Sequence, residues 1–133
     1  GTKTAWEGEV EIVDATFTFI EDAEPYVAKP VDVTALIGST ALEDFQNYFV
    51  SFKGVTVKEV KYQNAVPGDD IYITVTSGDK ELSLCIEKYL TGPSTEVYET
   101  AGNLKAGDVI DVEGYLYWYQ GANPHIVSIE IAK

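Results

Sequence analysis

Apolar residues recur at every second position over much of the chain, the alternation expected of half-buried strands. The clearest case lies near the C-terminus. Ile110, Val112, Gly114 and Leu116 share one face, while Asp111, Glu113, Tyr115 and Tyr117 share the other. Gly114 has no side chain to pack, so it predicts a bend or bulge of the kind small barrels use at corners. Gln120-Gly121-Ala122-Asn123-Pro124 then carries turn chemistry, and His125 to Ile131 returns as a second strand with Val127, Ile129 and Ile131 alternating with Ser128 and Glu130.

The same period appears upstream. Val50, Phe52 and Gly54 are followed by Val55, Val57, Val60 and Tyr62, a parity slip at Gly54 that predicts one long bent strand serving two halves of a sheet. Ile71, Ile73 and Val75 face Leu82, Leu84 and Ile86 across the tight connection Ser77-Gly78-Asp79, a hairpin. Ser94 to Ala101 reads as one or two helical turns capped by Ser94 and stopped by Gly102. Thr40 with Glu43 three residues later predicts a short helix over 39–47 opened by a capping box. Before it, Trp6 to Ile20 alternates with a change of apolar parity near Val13-Asp14, predicting a bulged strand or two short ones. Tyr26 to Val33 is extended but broken by prolines, as suits an edge.

A long bent strand, a hairpin, a helical connection and a final hairpin follow one another over residues 48–132. That order predicts a mainly β protein built on a five-stranded OB-like Greek-key barrel, with one or two short helices. A β-sandwich is the rival. Residues 1–47 are then an N-terminal extension of strand, edge segment and short helix packed on a barrel of residues 48–133.

Charge narrows the possible chemistry. Nine lysines, no arginine and 22 acids in 133 residues give a formal charge of −13, a field that repels phosphate backbones and argues against nucleic acid as a partner. Cys85, the single cysteine, sits in the apolar run Leu82–Ile86 and reads as a small buried hydrophobe. No run of 18 apolar residues is present to span a membrane, and Gly1 in place of an initiator Met suggests a trimmed or mature form. His125 is the sole histidine, so a multi-histidine metal site is excluded; Asp69, Asp70 and Asp79 lack the twelve-residue calcium-loop pattern. No acidic pair stands out as catalytic and no glycine-rich phosphate loop is present. The expectation is a protein that is not an enzyme and uses no cofactor or metal.

Phe49–Val57, Leu104–Leu116 and Gln120-Gly121 also resemble the OB-fold-like domains of secreted and surface-attached proteins of gut bacteria. The resemblance covers about the last 85 residues and rests on a Gly-Asp turn before a strand and a glycine within it. It implies an extracytoplasmic, secreted or cell-surface location and an accessory role, binding rather than catalysis. OB-folds bind ligands on the face of their second and third strands and in adjoining loops. Tyr115, Tyr117, Trp118, Tyr119, Gln120, Asn123 and His125 are therefore the candidate ligand-binding residues, with aromatic planes and amides suited to a glycan or a protein surface. The alternative packing buries Trp118 and lays the tyrosines over the barrel end or the N-terminal segment. A structural or assembly domain, and a single-stranded nucleic-acid binder by analogy of fold, are the other readings.

Overall fold

The structure, a computed structural model, describes residues 1–132. Its strands are β1 (Thr2–Trp6), β2 (Glu9–Val13), β3 (Val31–Asp32), β4 (Phe49–Tyr62), β5 (Ile71–Ser77), β6 (Lys80–Ile86), β7 (Val109–Tyr115) and β8 (His125–Ile131). One α-helix, α1 (Glu96–Asn103), lies between β6 and β7.

The 14-residue β4 organises the barrel. Its first part pairs antiparallel with β7, Phe52 opposite Val112, and its second part with β5, Val57 opposite Val75. Register shifts fall between Phe52 and Val55 and again between Val57 and Glu59. At the first of these Gly54 takes φ +61° and its N–H donates to Asp111 Oδ1 over 2.7 Å. A side chain is strained at that φ, so glycine lets the strand turn from one sheet half to the other.

β5 and β6 form the expected hairpin, and β7 pairs with β8. The circuit closes where β8 meets β6 in a short parallel contact, Cys85 opposite His125, with the Cys85 N–H donating to Pro124 O at 2.8 Å. Strand order β4-β5-β6-β8-β7 returning to β4, with a helix between the third and fourth strands, is the OB-fold. β3 adds a parallel edge to β4. Phe52, Ile71, Ile73, Leu84, Ile110, Leu116 and Ile126 are fully buried inside.

Gly114 answers the bulge expectation: the β7–β8 register shifts there, and a Cβ on it would lie 2.2 Å from the carbonyl oxygen of His125. Three local expectations are corrected. Residues 40–45 form a 3-10 helix whose cap is Ser39, its Oγ accepting from Ala41 N at 3.1 Å, so Thr40 and Glu43 make no capping box. α1 is capped one residue later than expected, by Thr95, and runs through Gly102, which lies against the Tyr62 hydroxyl. The N-terminal strand pattern becomes the hairpin β1–β2, turned by Glu7 and Gly8 at φ 48° and 90°, the geometry of a two-residue type I′ turn. Residues 15–20, which alternate as well as any strand here, pair with nothing.

Candidate functional site

The loop from Leu116 to Pro124 joins β7 to β8, and its backbone is knitted by Asn123 N to Tyr117 O (2.8 Å), Tyr119 N to Gly121 O (2.9 Å) and a bridge between Trp118 and Ala122. The N-terminal hairpin clasps it from one side. Buried Glu9 accepts the Trp118 N–H at 2.7 Å, Glu7 O accepts the Gln120 N–H, and Glu7 Oε2 accepts from Gln120 Nε2, both at 2.6 Å. Trp6 packs on Tyr119, ring centroids 5.2 Å apart. A Cβ at Gly8 would approach Trp118 Cδ1 to 2.8 Å, so the bare glycine at the turn is what allows the hairpin to seat against the indole.

The seven residues singled out from the sequence therefore divide. Tyr119 and Gln120 are engaged by the hairpin. Tyr115 packs on Phe49, ring centroids 5.3 Å apart. Tyr117, Asn123 and His125 come together: the Tyr117 and His125 rings are 4.7 Å apart, and Asn123 Nδ2 lies 3.3 Å from His125 Nε2. Burial lowers the His125 pKa, opposed by Glu87 and Asp70, while burial and the nearby Glu9 and Glu11 raise that of Tyr117. Both rings are thus neutral at pH 7, a tilted polar pair rather than a cation.

Trp118 faces a groove of about 470 Å³ over β6. Leu42, Leu82 and Ala122 give it an apolar floor, and Glu43, Glu81 and Ser83 stand at its rim. Sequence reasoning missed every one of these partners, since Leu42 and Leu82 look like any other core leucines.

Beside the groove, β5 and β6 turn a polar face outward. Tyr72 pairs across with Cys85, Thr74 with Ser83 and Thr76 with Glu81, and the β4 margin adds Glu59 and Lys61 opposite Thr74 and Tyr72. Cys85 is buried, and desolvation pushes its thiol up to about 12; the same cause pushes Tyr72 to about 12. The loop at one end is rigid: the Tyr98 hydroxyl donates to Asp69 O at 2.5 Å and accepts from Gly68 N at 3.0 Å, and Lys88 Nζ reaches Asp69 Oδ1 at 2.8 Å. That pair lowers the Asp69 pKa and raises that of Lys88. Asp69 and Asp70 spend their carboxylates on Lys88 and on backbone N–H groups, and no metal-binding cluster exists among the described residues.

Charge is unevenly distributed. Residues 1–48 hold ten acids and two lysines, whereas residues 53–88, which include most of β4 and all of β5 and β6, hold six acids and five lysines. The field of −13 therefore belongs mainly to the rest of the molecule.

No family model matches the chain, and no curated protein matches it. Solved structures do. Asparaginyl-tRNA synthetase from Pyrococcus horikoshii aligns at 17% identity over 79% of this chain with a TM-score of 0.58. Its complex with asparaginyl-adenylate gives 18%, 68% and 0.55. A Leishmania major Friedlin protein described as an aspartyl-tRNA synthetase gives 10%, 86% and 0.57. The chain spans only 20–23% of the length of these proteins. At such identities the shared property is the fold. All three are tRNA synthetases, and this corrects the expectation that the domain recognises a glycan or protein through its aromatic loop. The expectation that charge argues against a nucleic-acid partner is corrected with it. That expectation treated net charge as uniform, whereas residues 53–88, which supply β5 and β6, are close to balanced. Among the described residues no helix is long and apolar enough to cross a membrane.

Proposed function

We propose that this domain binds single-stranded nucleic acid across the outer face of β5 and β6, acting by binding rather than by catalysis. The observation that carries the reading is that face: half-buried Tyr72, Thr74 and Thr76 beside exposed Ser83, with Lys58 and Lys61 on its β4 margin and Trp118 in the groove at its other side. Ring faces stack on any base and hydroxyls reach base edges, the mode OB-folds use on single strands. The fold shared with synthetases that act on tRNA supports a nucleic-acid ligand. Lys58 and Lys61 are held by Glu81 and Glu59 in exposed ion pairs, which are worth little and exchange readily for phosphate.

With two lysines meeting phosphate, the logarithm of the binding constant falls with the logarithm of salt at a slope of about −1.4, far shallower than for basic binders. Fluorescence anisotropy with labelled oligouridine and oligothymidine over a salt series tests this. Absence of binding at the lowest salt defeats the reading. Tyr72→Ala weakens binding by about 1–3 kcal/mol if that ring stacks on a base.

A second reading rests on a different observation. Of the eighteen exposed large apolar side chains among the described residues, ten lie in residues 1–31. That concentration favours an assembly role in which the N-terminal segment packs on a neighbour. Sedimentation of the intact chain as a monomer at high concentration counts against self-assembly.

A further inference from the structure

We infer that the groove beneath Trp118 is a selective subsite for one nucleobase that presents paired N–H donors, guanine above the other bases. The inference rests on the proposed nucleic-acid reading and adds specificity to it.

The size of the groove comes first. About 470 Å³ is at the small end of ligand sites, with room for one nucleoside and none for a duplex. Its floor of Leu42, Leu82 and Ala122, with the indole of Trp118, suits a flat apolar ring. Its rim is unusual for a nucleic-acid binder. Glu43 and Glu81 carry carboxylates that only accept hydrogen bonds when ionised. They repel phosphate and they repel a base edge dominated by carbonyl oxygens. Guanine offers N1–H and the N2 amino group side by side, a match for one carboxylate in two parallel hydrogen bonds. Uracil offers one N–H between two carbonyls, and adenine and cytosine each offer a single amino group beside a ring acceptor.

The phosphates have their own place. Among the described residues no lysine lines the groove itself, and Lys58 is paired with Glu81 at its rim. The Lys58 side chain crosses from β4 to Glu81, whereas Lys61 stays on β4, two strands away from the β6 rim, a separation of about 10 Å at ordinary strand spacing. That is the reach of one nucleotide from its phosphate to the far edge of its base. A strand lying with its phosphates on β4 thus directs a base across Tyr72 and Thr74 into the groove. The receiving ring is held in advance, because Gly8, Glu9 and the bridge to Ala122 fix Trp118 before any ligand arrives.

The test is fluorescence anisotropy at low salt on the intact chain, using short oligouridines that carry one central guanine, inosine, adenine or uracil. The guanine oligomer is expected to bind about tenfold tighter than all-uracil, as good bidentate base pairs with side chains allow. Inosine lacks only the N2 amino group and should lose most of that preference. Glu43→Gln with Glu81→Gln should abolish the guanine preference, while oligouridine binding should be no weaker because the loss of Glu81 releases Lys58 for phosphate, with near-UV circular dichroism confirming the fold. Equal affinity for the guanine and uracil oligomers, or a preference that survives the double substitution, overturns the inference and leaves the proposed function standing. Failure of every oligomer to bind overturns both.

Discussion

Two stretches of this chain alternate apolar and polar residues equally well and end differently. In the barrel, Phe52, Ile73, Ile110 and Ile126 are 0% exposed. In residues 15–20, Phe17 and Phe19 are 79% and 88% exposed and pack edge to face on each other at 5.5 Å. Alternation decides which side chains share a face. Burial requires a second surface for that face, and the barrel finds one because β4 bends and pairs with both β5 and β7. The N-terminal residues that are fixed are those with partners outside their own hairpin: Glu7, Gly8 and Glu9 on the β7–β8 loop, and Val10 bonded to Gln46 and Asn47.

Substitutions on either side of this divide should give very different stabilities. Phe52→Ala, which empties the closed core, is expected to cost about 3–5 kcal/mol by urea unfolding. A loss below about 1 kcal/mol would mean that the barrel interior is not packed around it. Gly114→Ala drives a methyl into the His125 carbonyl and should cost about 1–3 kcal/mol or more, because a backbone atom cannot rotate aside.

Between the two regions lies Glu9. Glu9→Ala removes the acceptor of the Trp118 N–H and should cost about 1–3 kcal/mol; protease sensitivity in residues 1–14 should rise, since the hairpin loses its anchor. Unchanged protection would place the anchor elsewhere. At the small end, Phe17→Ser with Phe19→Ser should shift stability by no more than about 0.5 kcal/mol in the isolated chain. A larger loss would show that this segment is packed in solution and erase the contrast.

Ionisation offers a check on closure at β6–β8. The Cys85 thiol is raised from 9.0 to about 12 and Tyr72 from 10.0 to about 12 by burial. The unfolded chain ionises these groups first, so their contribution is intact below pH 9 and declines as pH rises from 9 toward 12. Urea midpoints across that range should fall, less steeply in Cys85→Ala. Native Cys85 should also resist thiol reagents at pH 8 until the barrel opens.

Much of the barrel was legible from residues alone. Period-two alternation placed β4 to β8, because side-chain direction along a strand is a local property. Gly54 and Gly114 marked the bends because a missing Cβ is visible in the sequence. The helix caps were displaced by one residue, Thr40 to Ser39 and Ser94 to Thr95, because neighbouring hydroxyls offer equivalent local chemistry and the surrounding chain decides between them. The tip residues were recognisable as an aromatic cluster, yet nothing local foretold that the hairpin would take Tyr119 and Gln120 and leave Trp118 over a groove.

Tertiary structure alone decided that division. Leu42, Leu82 and Trp118 come from three distant parts of the chain, and what unites them is the parallel meeting of β6 and β8 and the docking of the N-terminal hairpin. Such contacts depend on how strands close on one another rather than on which way their side chains point. A pattern repeated every two residues determines the strands of this protein; the pairing of those strands across long separations determines its groove.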